Sequence, residues 1–347
     1  MKEIKSSKFF HVFRLGFLLW ALPGLCLAQV SNSTQTVAEK KFERLAHALR
    51  SPDESVRLEA IQELGSSHDP ASIPLFLQGL QDKNTTVRSA AESGLLLYHG
   101  PQVASALRPL LNDEDDRLRA AAVWSLSHVG GRAVLPDVVR LATNDASGIV
   151  RFRAVCGLAF CGDRSALPVV VDALGDYNNA VRERSALLAL DVLADRSVAP
   201  LLLNQRHNVL PATRRLVMYL LAKYGDSSVI PGLVEGLNDP DALVRAEAAI
   251  SLGKLRSLKN LDALQPLLKD PDDHVRGSTA YAIGLMGDPL GAALLRSSLQ
   301  DNSAFVRAVA AESLQKLGDK TVRPPEGFRA AALFTFPIYS FEKKEVY

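Results

Sequence analysis

One dipeptide recurs along this chain at a nearly constant interval, and that interval decides what the chain can fold into. Arg57, Arg88, Arg119, Arg151, Arg182, Arg214, Arg245, Arg276 and Arg307 follow one another at spacings of 31 or 32 residues. Val precedes seven of them, at Val56, Val87, Val150, Val181, Val244, Val275 and Val306. Six residues before the Arg stands an Asp in seven units: Asp82, Asp113, Asp145, Asp176, Asp239, Asp270 and Asp301. A phrase held in register nine times is an internal repeat, and a period of this length belongs to arrays of stacked supersecondary units.

Within each unit the apolar period is helical. Upstream of the Arg lie pairs four residues apart, such as Phe76/Leu80, Leu107/Leu111, Leu233/Leu237 and Leu264/Leu268. Downstream lie Ala60/Leu64, Ala91/Leu95, Ala122/Leu126, Ala154/Leu158, Ala248/Leu252 and Ala310/Leu314. A step of four keeps each pair on one helix face. Pro74, Pro136, Pro168, Pro200 and Pro231 open the first helix, where a missing N–H costs little. Gly130, Gly162, Gly225, Gly287 and Gly318 follow the second, as helix stops. The small residue three after the Arg is expected to let successive second helices approach closely. No unit can bury both its faces alone, so the units must stack. The expected fold is all-α: a right-handed α-solenoid of about nine two-helix repeats of 31–32 residues.

The phrase D-x-x-x-x-V-R followed by A-x-x-x-L-G, as in DPDALVRAEAAISLG and DPDDHVRGSTAYAIG, resembles the short HEAT repeats of the phycobilisome-lyase type. The resemblance covers residues 41–319 and implies a HEAT/armadillo-like superhelix, with the second helices lining its concave side. It is specific for fold and poor for function, because such repeats serve scaffolds, adaptors and a few enzymes.

The N-terminus is a separate segment. Lys2, Lys5, Lys8 and Arg14 precede the apolar run LGFLLWAL, and Cys26-Leu27-Ala28 forms a small-residue site before Gln29. This is the three-part pattern of a secretory signal peptide over residues 1–28. The apolar stretch falls short of the roughly 20 residues that span a bilayer, so no stable membrane span is expected after cleavage. Export to the periplasm or secretion is the expectation, with a membrane anchor by the uncleaved segment as the alternative. Residues 29–40 read as a polar linker and the start of the first helix, and residues 320–347 as an aromatic tail containing FRAAALFTFPIYSF. That tail either caps the last repeat or docks elsewhere on the array.

Removing residues 1–28 leaves 36 Lys+Arg against 37 Asp+Glu, so the net charge falls from +2 to −1. A nucleic-acid partner is not expected from that balance. Cys156 and Cys161 stand five apart on one helix, roughly 8 to 9 Å between Cα atoms, and read as small apolar fillers beyond disulfide reach.

Catalysis finds little support. The recurring Asp and Arg serve every layer and are therefore structural: a turn Asp can neutralise the Arg that begins a neighbouring second helix. Deoxyhypusine hydroxylase, a HEAT-repeat enzyme of similar architecture, holds two irons on paired His-Glu motifs. None of the seven histidines here is followed by Glu. No metal, cofactor or catalytic residue is assigned. An enzyme or enzyme subunit of lyase-like type, acting on a bound protein, stands as the alternative to a binding scaffold.

A partner surface can be read from position. At 100° per residue, the core positions of the second helix cluster between about 260° and 340°, while the residue five after the Arg falls at about 140°. In order these residues are Gln62, Ser93, Trp124, Cys156, Leu187, Tyr219, Ile250, Tyr281 and Glu312. The six from Trp124 to Tyr281 are apolar or aromatic where polar residues are the default, and His128 and Phe160 stand one turn further on. Either they form an apolar stripe that contacts a protein partner, or curvature packs them against adjacent second helices. The sixth unit departs from the pattern, with Asn208 for Asp, Thr213 for Val, and Arg206 and His207 as weaker candidates for a specific contact.

Overall fold

The computed structural model describes residues 37–334. The described residues fall into two units, divided between His47 and Ala48. In the first, the helix Val37–Ala48 begins where the polar segment ends and runs to the boundary. The signal-peptide reading of residues 1–28, most of the linker and the tail beyond Phe334 lie outside the described residues. Among the described residues there is no strand, and no helix is long and apolar enough to cross a membrane.

The second unit is the array. Its second helices are Glu54–Gly65, Thr85–Leu95, Asp116–Gly130, Gly148–Cys161, Ala186–Leu193, Pro211–Tyr224, Ala242–Lys254, Asp273–Met286 and Ala304–Lys316. Most begin at a side-chain cap four residues before the Arg: Asp53, Asn84, Asp115, Asp241 and Asp272 each accept a backbone N–H of the first turn. The first helices are shorter, and several open with a 3₁₀ turn capped by Asp69, Asp163, Asp195 or Asp226. The five prolines expected there sit in the first turn of their helices.

The helical pairs form the core. Phe76, Leu80, Leu107, Leu111, Leu233 and Leu237 are buried, as are all six Ala/Leu pairs of the second helices. After Leu264 the first helix passes into the 3₁₀ turn Gln265–Lys269, in which Leu267 is buried and Leu268 is only half-buried.

One expectation about small residues is corrected. The Ala three after the Arg faces its own first helix. A Cβ on Gly79 would lie 2.8 Å from Ala91 Cβ, and one on Gly236 would lie 3.1 Å from Ala248 Cβ. Close approach of successive second helices occurs instead eight after the Arg, where a Cβ on Gly253 would lie 2.7 Å from Ala282 Cα. Of the helix-stop glycines, Gly162, Gly287 and Gly318 have positive φ, at 65°, 76° and 95°. Gly225 caps its helix with extended backbone and Gly130 is the last residue of its helix; a Cβ on them would lie 2.5 Å from Leu221 O and 2.2 Å from Val134 Cγ1, so a side chain has no room at either.

The recurring Arg and Asp join successive layers. Arg119 donates through Nε and Nη2 to the two carboxylate oxygens of Asp145, both at 2.9 Å, and through Nη1 to the carbonyls of Asp113 and Glu114 in its own turn. The same fork joins Arg57 to Asp82, Arg151 to Asp176, Arg214 to Asp239, Arg245 to Asp270 and Arg276 to Asp301. Planar guanidinium and carboxylate match in this geometry, which fixes the register of one layer on the next.

Candidate partner-binding surface

The third and fourth second helices bring three of the candidates together. Trp124 and His128 stand one turn apart with ring centroids 4.4 Å apart. Phe160, from the following helix, meets Trp124 edge-on at 5.5 Å and His128 at 3.7 Å. Trp124 and His128 are half-buried, while Phe160 is 46% exposed. Arg153 crosses the indole with its guanidinium carbon 5.7 Å from the ring centroid, then pairs with Glu92 of repeat two at 2.7 Å. The indole is thus held between a cation and two aromatic rings.

His128 Nδ1 lies 2.8 Å from the Trp124 carbonyl oxygen, a bond that requires the proton on Nδ1. Burial lowers the pKa of His128, more than its bond to that carbonyl raises it. At neutral pH the ring is therefore uncharged and fits an apolar surface.

The rest of the predicted stripe divides. Leu187 and Tyr219 are half-buried, and Lys254 Nζ lies 5.1 Å from the Tyr219 ring centroid. Cys156 and Ile250 are 3% exposed and belong to the packing between helices, so they are withdrawn from the surface. Burial pushes the Cys156 thiol to about 12 and the Cys161 thiol to about 11, and both cysteines are free. Tyr281 is 9% exposed, but for a different reason: the ring of Phe334, from the tail, lies on it. The stripe is not continuous, and its exposed aromatic part is centred on Trp124, His128 and Phe160.

Arg206 and His207 lie off this surface, in the 3₁₀ turn Gln205–His207 that ends the first helix of repeat six. Both reach Glu235 of the next first helix, at 2.9 and 3.4 Å. Arg108 reaches Asp137 in the same way, so this contact links layers. Thr213 is equally accounted for, since its buried hydroxyl donates to Leu174 O at 2.7 Å.

Sequence reasoning missed three things here. Arg153 and Glu92 form a pair across an intervening helix, which no local spacing announces. Ile149 and Leu243, two before their Arg, are 49% and 45% exposed. That position falls at about 160°, beside the row that was read, so the same arithmetic could have found it. The tail was expected to cap the last repeat or dock elsewhere on the array, but nothing in its sequence singled out Phe334 as the residue that closes over Tyr281. Among the described residues no cluster of His, Cys, Asp and Glu has the makings of a metal site.

The model of HEAT repeats matches residues 42–127, 93–159, 199–284 and 261–325, well over half of the chain. No curated protein matches it. Among solved structures it is similar to Kap121p bound to Nup53p, with a TM-score of 0.60 and 16% identity over 83% of this chain and 38% of that one. Kap121p bound to the extreme C-terminus of the protein phosphatase Cdc14p gives a TM-score of 0.60 and 15% identity, over 83% and 38%. Human deoxyhypusine hydroxylase matches at 22% identity over 74% of this chain and 99% of that one, with a TM-score of 0.32. The similarity to Kap121p supports the all-α solenoid, and the repeat matches place this chain in the HEAT-repeat family.

Proposed function

We propose that the chain is an exported scaffold that binds a protein partner through the outward face of its second helices, with Trp124, His128 and Phe160 as the anchor. The observation that carries this reading is the exposed aromatic cluster itself. A half-buried indole, a neutral imidazole and an exposed phenyl ring meet on one side of two adjacent helices, steadied by Arg153. Rings that are rigid before binding lose little side-chain entropy, which suits them to anchor an interface. The solved relatives bound to protein partners agree with this reading. The N-terminal pattern of residues 1–28 supports export to the periplasm or the medium.

The test compares capture of a partner by mature wild type, a Trp124→Ala/Phe160→Ala variant and a Phe160→Ser variant. The double variant should lose at least about tenfold in affinity, with unchanged helix content and melting. Undiminished capture by both folded variants removes the reading. N-terminal sequencing of the protein recovered outside the cytoplasm should begin at Gln29.

A further inference from the structure

The chain leaves the last repeat after Gly318 and comes back to the array. Residues 319–329 contain no helix and are largely exposed, and they turn at Pro325–Phe328, with Gly327 at φ 76°. The single helical turn Ala330–Leu333 then brings two groups inward. The Ala330 N–H donates to Glu312 Oε2 at 2.6 Å. Four residues on, the Phe334 ring stacks on Tyr281 at 4.7 Å, with His274 at 5.9 Å and Phe305 at 5.8 Å. Ala330 and Phe334 are buried, whereas Ala331, Ala332 and Leu333 face solvent.

The floor under Phe334 is built from outward positions. His274 and Phe305 stand two before their Arg, and Tyr281 and Glu312 stand five after. In the first two repeats those positions hold Ser55, Thr86, Gln62 and Ser93. Gly277 is part of the arrangement, because a Cβ there would lie 2.3 Å from Phe305 Cε1 and push the ring off the helix. Lys316 Nζ bonds Glu312 at 2.8 Å and lies 5.3 Å from the Tyr281 ring centroid, so the carboxylate is held in place beside the rings. The segment turns Ala330 and Phe334 inward and leaves Ala331, Ala332 and Leu333 exposed. Such segments open at low free energy.

We propose that the second-helix surface of repeats eight and nine is a peptide-binding site for an aromatic side chain and a backbone N–H four residues before it. Arg329–Phe334 is its resident ligand in cis, and a partner segment of the same chemistry binds by displacing it. The proposal does not depend on the Trp124 surface being the partner's. A tethered segment has an effective concentration in the mM range, so the free site is masked in the intact chain.

The experiment uses a fluorescently labelled peptide of residues 326–347, titrated into the mature protein and into a form ending at Pro325. The shortened form should bind it saturably, and the intact chain at least about tenfold more weakly. Adding Tyr281→Ala and Glu312→Gln to the shortened form should abolish binding. Intact Phe334→Ala keeps the tail but loses its anchor, and should bind the peptide nearly as well as the shortened form. Equal binding to intact and shortened protein overturns the proposal. So does no saturable binding to either shortened or Phe334→Ala protein that retains its helix content. Exchange of tails between copies, seen as a dimer of the intact chain that the free peptide does not dissolve, also overturns it.

Discussion

Arg119 grips Asp145 of the next repeat with two hydrogen bonds of 2.9 Å, and in repeat five Arg182 lacks that partner. The position of the aspartate is held there by Asn208, whose Oδ1 accepts the Leu210 N–H and whose Nδ2 donates to Gln205. Arg182 turns to Asn179, Glu183 and the Asp176 carbonyl, and its Nε is buried without a hydrogen-bond partner. The same segment, Ala180–Ser185, is wound as a π-helix.

Asn208→Asp should therefore stabilise the array. It offers Arg182 a carboxylate and keeps an acceptor for Leu210 N–H. A hydrogen bond to a charged group is worth about 1.5–3 kcal/mol, and leaving a buried donor unsatisfied costs a comparable amount. We expect a rise of about 1–3 kcal/mol in unfolding free energy, read as an increased urea midpoint at unchanged slope. A lowered midpoint would show that the amide is preferred here.

The ladder also sets the response to acid. Burial raises Asp82, Asp145, Asp176, Asp239 and Asp270, but the Arg fork and a turn N–H outweigh it and hold each below its ordinary value. At Asp301 the bond from Arg276 is the leading influence, with the same net direction. A carboxyl lowered on folding contributes stability above its unfolded pKa of about 3.9, and that stability is lost as pH falls through the folded value. Glu247 acts the other way, since burial raises it more than Lys254 and Arg215 lower it. One raised group cannot balance six lowered ones. The melting temperature should stay nearly level from pH 8 to 5 and fall steeply below about pH 4. A level profile down to pH 2 would contradict the ladder.

The repeat register, the helical pairs and the Arg–Asp link were legible because each is a local pattern copied many times. The exposed cluster was legible only in part. Helix geometry alone predicts that Trp124 and Tyr281 point the same way from their helices. Whether neighbours then cover them depends on contacts distant in sequence: Arg153 on Glu92, and Phe334 on Tyr281. Ile250 shares the angular position of Trp124 yet is buried, which one helix wheel cannot show.

The two cysteines should be nearly inert in the native protein. With the Cys156 pKa at about 12, roughly one molecule in ten thousand carries the thiolate at pH 8. For Cys161, at about 11, the fraction is roughly one in a thousand. Alkylation by iodoacetamide at pH 8 should be at least about 100-fold slower than in urea-unfolded protein. Rates within tenfold of each other would mean that this helix opens readily.

The central claim is that the partner sits on the Trp124–His128–Phe160 cluster. A photoreactive phenylalanine at position 160 should cross-link the partner in the mature protein. The same group at position 177, where Tyr177 is 87% exposed in a turn between helices, should not. Equal cross-linking from both positions, or cross-linking from 177 alone, would place the partner elsewhere and contradict the account.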